Sequence, residues 1–456
     1  MLITNFFDEC VLVDEMRILQ VVHEFPPRAC GGTGIYTYSL SMELSKIHEV
    51  FVLYLRYNGF RYVFNYSKRN GLTIYELNIP FSEQITRLFS FKATYIDAKV
   101  EEKFRELLLI IKPDCIHFQN LIGLSASLLR VAKEKGVPTV LTLHDYWFIC
   151  PMTLLLKNNS TICNGPDEQS ENCFICWNNM QAKHLADIWG KFLPPKMFSE
   201  KLFESTLMKI NSKKKFRERK EYMKSILFNA DIIIAPSLSL RNIFVKCGIS
   251  QPKIMYSSNG YNLSAFKGFK KKKHGNLIFG FVGYIAEYKG VEVLVEAFNW
   301  VDSMDAELRI YGNFDRKAKF FKYLQTKKRN NNIKFMGKYN DVKDPYSEID
   351  ILVVPSLCME TGGPLVVKEA FATGTPVIAS NIGCIPEFVI DGVNGLLFRT
   401  SDPKDLFKKI KTIIDNPYFI SEFQKNIVSP RSITDQSKEL EEIYSTMSCK
   451  YARKVK

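Results

Sequence analysis

Val353-Val-Pro355-Ser356-Leu-Cys-Met-Glu360-Thr-Gly362-Gly363-Pro364-Leu365-Val-Val-Lys-Glu369-Ala370 reads as a strand, a glycine loop and a helix in direct succession. The strand ends at Pro355, which cannot donate to a central ladder. Gly362 and Gly363 free backbone N–H groups for phosphate oxygens, and Pro364 is suited to the first position of a helix. Glu369 falls in the second turn of that helix. In open parallel sheets, ligands bind outside the carboxyl ends of the strands, so this loop is a candidate phosphate cradle with an acid on either side. A carboxylate has enough acceptor sites for two neighbouring ribose hydroxyls. Either glutamate alone would read as a solvated charge; the glycine loop between them favours a site.

The same alternation runs outward in both directions and predicts α/β architecture with parallel sheets and crossover helices. Strands are expected at 18–22, 50–54, 115–118, 139–143 and 232–235, then at 277–282, 308–311, 333–336, 351–354, 376–379 and 396–398. Apolar residues Val291, Leu294, Val295, Phe298 and Val301 share one side of a helix. With 456 residues, two domains are expected: an N-terminal one over 16–250 and a C-terminal one over 251–433. The lysine-rich stretch 263–275 reads as a connector near their boundary, and 434–456 as a last helix and tail. Residues 150–229 are long for a crossover and form an insertion. The strand signal opens sharply at Met16, so 1–15 is a short extension, acidic and unlike a targeting peptide.

Three further strand ends carry candidate chemistry. Gly31 and Gly32 follow the first strand and precede a helix, where backbone can approach an anion at the helix N-terminus. Gly283, Tyr284 and Lys289 lie between the strand 277–282 and the next helix, whose N-terminal dipole Lys289 would reinforce over a diphosphate. His144, followed by Asp145, ends the strand 139–143.

This chain of motifs closely resembles the family 4 retaining glycosyltransferases. The likeness is carried by Glu360 through Glu369, Gly374-Thr-Pro376, Gly383 to Glu387, Asn394-Gly395, the Gly31-Gly32 loop, Leu143-His144-Asp145 and Gly283 to Lys289-Gly290. The resemblance implies the GT-B fold: two facing Rossmann-like domains, donor in the second, acceptor in the first, and a last helix that crosses back. It implies catalytic roles for His144, Lys289 and Glu360. Donor binding would fall to Gly31, Gly32, Gly283, Tyr284, Lys289, Gly362, Gly363, Pro364, Leu365 and Glu369. The partners it implies are a nucleotide-sugar donor and a glycan or lipid-linked acceptor, with no cofactor required for catalysis. Two positions depart from the family: Tyr284 stands where an arginine is usual, and Glu360 and Glu369 are nine apart rather than eight. These leave two alternatives open, a weakened nucleotide-sugar-binding relative acting as a partner protein and a sugar-nucleotide epimerase.

Eleven cysteines without an export signal argue for reduced thiols and a cytoplasmic protein. Cys150, Cys163, Cys173 and Cys176 match tetrahedral zinc in number and ligand type; four thiols or a disulfide pair are the alternatives. The formal charge of +14 fits an anionic surface, yet no nucleic-acid-binding pattern accompanies it. No run of 18 apolar residues predicts a spanning helix. The basic stretch 183–224, with Trp189, Phe192, Phe198, Phe203, Phe216 and Tyr222, reads either as a peripheral contact with the inner face of a membrane or as amphipathic helix packed on its own domain.

Overall fold

The computed structural model describes residues 15–28, 31–157, 160–189, 200–301, 306–313 and 319–455. The expected extension lies outside them, Glu15 excepted. The first sheet contains β1 (Arg17–Val21), β2 (Glu49–Tyr57), β3 (Val63–Arg69), β4 (Leu72–Ile79), β5 (Cys115–Phe118), β6 (Thr139–Thr142), β7 (Ile232–Ala235) and β8 (Ile254–Tyr256), in the order β3-β4-β2-β1-β5-β6-β7-β8. Only β3 runs antiparallel to its neighbour. The second sheet contains β9 (Leu277–Val282), β10 (Ala306–Tyr311), β11 (Ile333–Gly337), β12 (Ile351–Val354), β13 (Val377–Ser380) and β14 (Gly395–Phe398), in the order β11-β10-β9-β12-β13-β14. Its pairings are all parallel.

Both sheets are covered on both faces, as the apolar strands require. Along β1, Leu19 and Val21 enter one cluster while Ile18 and Val22 enter another. Along β12, Ile351 and Val353 face one cluster, Leu352 and Val354 the other. This alternation is the two-residue period of a strand expressed in a sheet buried on both sides.

The first sheet continues past residue 250, because β8 pairs with β7. The connector also differs from expectation. Tyr261 and Phe266 pack into the second domain's core and Lys272 N–H donates to Ser347 O at 2.9 Å, so 263–275 belongs to that domain and 257–260 joins the two. The final helix, Ile433–Val455, returns to the first domain. Leu440 and Tyr444 are fully buried among Met16, Ile18 and Val50, and the Tyr444 hydroxyl bonds His117 Nδ1 at 2.5 Å.

The insertion contains helices Glu171–Trp189, Glu200–Ile210 and Lys213–Leu227. Among its described residues Phe203, Phe216 and Tyr222 pack against the first domain. Phe216 is buried and stacks on Phe91 with ring centroids 3.8 Å apart. The Tyr222 hydroxyl bonds Ser127, and Phe203 packs against the first domain's core. Arg219, one of the basic residues, is itself buried and donates to Trp147 O at 2.5 Å. The Trp189 side chain, Phe192 and Phe198 lie outside the described residues.

Candidate active site

Each sheet reverses its strand order once, between β1 and β5 in the first and between β9 and β12 in the second. Crevices at such switch points are where open α/β sheets bind ligands. A cavity of about 650 Å³ opens there between the domains. Gly32, Tyr36 and His144 line it from the first domain; Gly283, Tyr284, Lys289, Glu360, Gly362, Gly363, Pro364, Leu365 and Glu369 line it from the second. Gly31 is the N-cap of the helix Gly32–Leu44 and is not itself among the lining residues; a Cβ there would face Glu24. The residues picked out in the sequence around this cleft therefore converge.

Two helix N-termini meet across the cleft. A Cβ on Gly32 would stand 3.4 Å from Leu365 Cδ1, so the helices beginning at Gly32 and at Leu365 approach each other end to end. Their unpaired N–H groups and dipoles make the gap favourable for an anion. The walls are also tied together: Thr361 Oγ1 donates to His144 O at 2.7 Å, and the backbone N–H groups of Leu238 and Ser239 donate to Glu387 at 2.8 and 2.7 Å.

Lys289 Nζ donates to Glu360 Oε1 at 2.8 Å, and Ser356 Oγ donates to the same oxygen at 2.7 Å. Burial works against the ammonium, but the adjacent Glu360 carboxylate outweighs it and holds Lys289 above its ordinary value. Both glutamates line the cleft, and in the loop between them Gly363 adopts a left-handed φ of 75°.

Glu369 is 7% exposed. Tyr261 OH donates to its Oε1 at 2.9 Å and Tyr346 OH to its Oε2 at 2.7 Å. Burial raises its carboxyl above the usual range, while the two phenols oppose the shift. These tyrosines fix the carboxylate and leave each oxygen a further lone pair for a hydroxyl. Neither tyrosine is flagged by position along the chain, since Tyr261 lies 108 residues from Glu369.

His144 is neutral: burial first, then the charges of His23 and Lys368, lower it to about 3. Its Nε2 lies 2.8 Å from Gln119 Oε1. Gln119 donates its own amide to Gln20 Oε1 at 2.9 Å, which leaves that oxygen to accept from His144 and assigns the imidazole proton to Nε2. Tyr284 is 62% exposed on the rim, a neutral hydroxyl where the family pattern has a cation.

The four insertion cysteines also come together, around a separate cavity of about 340 Å³. Among the described residues no group of three or more His, Cys, Asp or Glu is disposed to hold a metal ion. Burial keeps the thiols of Cys150 and Cys173 protonated, with Cys150 and Cys163 adding to the effect at Cys173. Cys449, by contrast with the reduced state expected for the chain, is disulfide-bonded.

Comparison with known proteins agrees with this geometry. Residues 30–170 match Glycosyltransferase Family 4, and residues 276–416 match the family described as glycosyl transferases group 1. An uncharacterized glycosyltransferase of Methanocaldococcus jannaschii is 29% identical over 210 residues, 43% of this chain and 53% of that protein; the match thus spans about half the relative's length. An uncharacterized 42.6 kDa protein in the cps region of Klebsiella pneumoniae is 22% identical over 395 residues, 85% of this chain and 81% of its own. Among solved structures, Anabaena HepE in complex with UDP and glucose superposes with a TM-score of 0.58 at 16% identity, over 94% of this chain and 99% of that one, which speaks to the fold.

Proposed function

Because the chain belongs to the group 1 glycosyltransferases, with a family 4 domain in its first half and the GT-B fold, we propose that it moves a sugar from a nucleotide-sugar donor to a glycan or lipid-linked glycan acceptor, with retention at the anomeric carbon, as in polysaccharide or glycoconjugate assembly. The observation that carries this reading is the convergence, in one interdomain cleft, of two helix N-termini with the Lys289–Glu360 pair.

In this reading the donor diphosphate lies in the gap between the helices that begin at Gly32 and Leu365. Lys289 exchanges Glu360 for a phosphate oxygen. Negative charge grows on the leaving diphosphate as the glycosidic bond breaks, and preorganised N–H groups and the ammonium stabilise it there. Glu360, released from Lys289, turns to the hydroxyls of the transferred sugar, and Glu369 holds the ribose. His144, neutral with its proton on Nε2 and lining the cleft from the acceptor side, lies beside the reacting carbon. Its backbone carbonyl anchors Thr361, so the acceptor wall and the donor loop hold a common register. Solved HepE binds UDP and glucose, which supports a nucleotide-sugar donor here.

A lipid-linked acceptor would bring the cleft to the inner face of a membrane. No helix among the described residues is long and apolar enough to cross one. A surface that could meet a bilayer is the helix Phe81–Phe89, which buries no residue and exposes Phe81, Ile85 and Phe89 at four-residue spacing. The protein should release nucleoside diphosphate from a nucleotide sugar, slowly to water and faster with acceptor. Interconversion of the free nucleotide sugar without release would instead favour the epimerase.

A further inference from the structure

Lys368 is 4% exposed and lines the cleft, and the roles above make no use of it. Its Nζ donates to Asn259 O at 2.8 Å and lies 5.9 Å from the centroid of the Phe388 ring. Among the described residues no carboxylate forms an ion pair with it. An ammonium has three donors and carries a full charge, and burying that charge without a counter-ion is costly. Such a group is retained where an anion arrives to pair with it. The cost is visible in this protein: burial is the largest influence on Lys368 and lowers it to about 8, with smaller, opposing influences from Cys384 and Arg431. Its charge also reaches His144 on the facing wall.

A second group at the same place is unsatisfied. Asn259, 8% exposed, lines the cleft, and its Oδ1 meets no hydrogen-bond donor among the described residues. Its Nδ2 lies 3.4 Å from where a Cβ on Gly362 would stand, so the amide sits against the glycine loop. Lys368 itself belongs to the helix whose N-terminus faces the gap, and Tyr284 brings no charge to the same cavity.

We infer that Lys368, positioned by the Asn259 carbonyl, is the second cation of the diphosphate site and takes the place of the charge that Tyr284 lacks. This rests on the donor-cleft reading given above. Lys289 and Lys368 then supply the two positive charges that a nucleoside diphosphate requires, one from the loop after β9 and one from the helix after β12. The unsatisfied Asn259 Oδ1 would accept from a sugar or ribose hydroxyl beside that phosphate.

The inference is tested by titrating UDP, ADP and GDP, with the corresponding monophosphates and nucleosides, into wild type, Lys368→Gln, Lys368→Arg, Lys289→Met and the double variant Lys368→Gln/Tyr284→Arg. Lys368→Gln keeps a donor for Asn259 O and removes the charge. It should weaken diphosphate binding about ten- to a hundredfold and nucleoside binding little. Lys368→Arg should retain most of the affinity, and Tyr284→Arg should recover part of what Lys368→Gln loses. A purely structural clamp on the linker predicts the opposite: Gln tolerated, Tyr284→Arg without effect, and diphosphate, monophosphate and nucleoside affected alike. That pattern, with Lys289→Met still losing diphosphate affinity, would overturn the role of Lys368 and leave the donor site standing. Absence of diphosphate binding to wild type would instead sink the donor-site reading and this inference with it.

Discussion

Replacing Lys289 by Met and Glu360 by Gln should separate the two halves of the central ion pair. The pair is mostly buried, with side-chain exposures of 28% and 14%, and closes at 2.8 Å. Lys289→Met removes a charge-assisted hydrogen bond to the donor phosphate, a loss of about 1.5–3 kcal/mol, or roughly ten- to a hundredfold in affinity. It also leaves Glu360 with only the Ser356 hydroxyl on Oε1, so some folding stability goes with it. Glu360→Gln acts in the other direction on the phosphate. It frees Lys289 from its competitor, and binding of a nucleoside diphosphate without sugar should hold or tighten. Turnover should nonetheless fall, because the group facing the transferred sugar has lost its charge. The assay is calorimetric titration with UDP, ADP and GDP beside a nucleotide-release assay on the corresponding sugar nucleotides. Equal weakening of diphosphate binding by both substitutions would refute the competition between Glu360 and phosphate; unchanged binding in Lys289→Met would refute the site.

Gly290 has a left-handed φ of 69°, and a Cβ there would collide with the Pro355 carbonyl oxygen; Gly290→Ala should cost at least about 2 kcal/mol of stability, and an unchanged thermal midpoint would contradict the packing of the two loops. Tyr444→Phe removes the hydroxyl on buried His117 and should cost about 1–3 kcal/mol, with faster amide exchange along Ile433–Val455; exchange identical to wild type would show that the helix is not anchored there. The buried Lys368, lowered to about 8, releases its proton on folding between about pH 8 and 10.5, where the unfolded chain still holds it. Stability should therefore rise with pH across that window by up to about 3 kcal/mol from this group, and a Lys368→Met variant with the same pH slope in denaturant titrations would contradict its burial as a cation.

Most of the parallel strands were legible because each is a short apolar run closed by a turn; β4 and the three-residue β8, parallel to β2 and β7, were not among them. The hairpin β3–β4 was missed although it carries a local signal: Asn70 and Gly71 both have positive φ, 53° and 78°, as a two-residue hairpin turn requires. β3 lies at the sheet edge with most side chains exposed, so its apolar pattern is weak and only the turn betrays it. In the site, Lys289, Glu360, Glu369 and the glycines stand at strand ends, where position alone flags them. Tyr261, Tyr346, Thr361, Asn259 and Lys368 act through partners brought together only by folding, as between Thr361 and His144, 217 residues apart. The aromatic and basic residues of 183–224 show the limit of composition, which leaves a helix packed inward and one resting on a membrane both open; folding places Phe216 and Arg219 inside.

The most direct test of the account is to incubate the purified chain with UDP-, ADP- and GDP-linked hexoses and follow free nucleoside diphosphate by chromatography, with wild type and Lys289→Met in parallel. The account predicts release from at least one of these donors by wild type and a loss of about ten- to a hundredfold in Lys289→Met. No release from any donor, together with no binding of UDP, ADP or GDP, would contradict it.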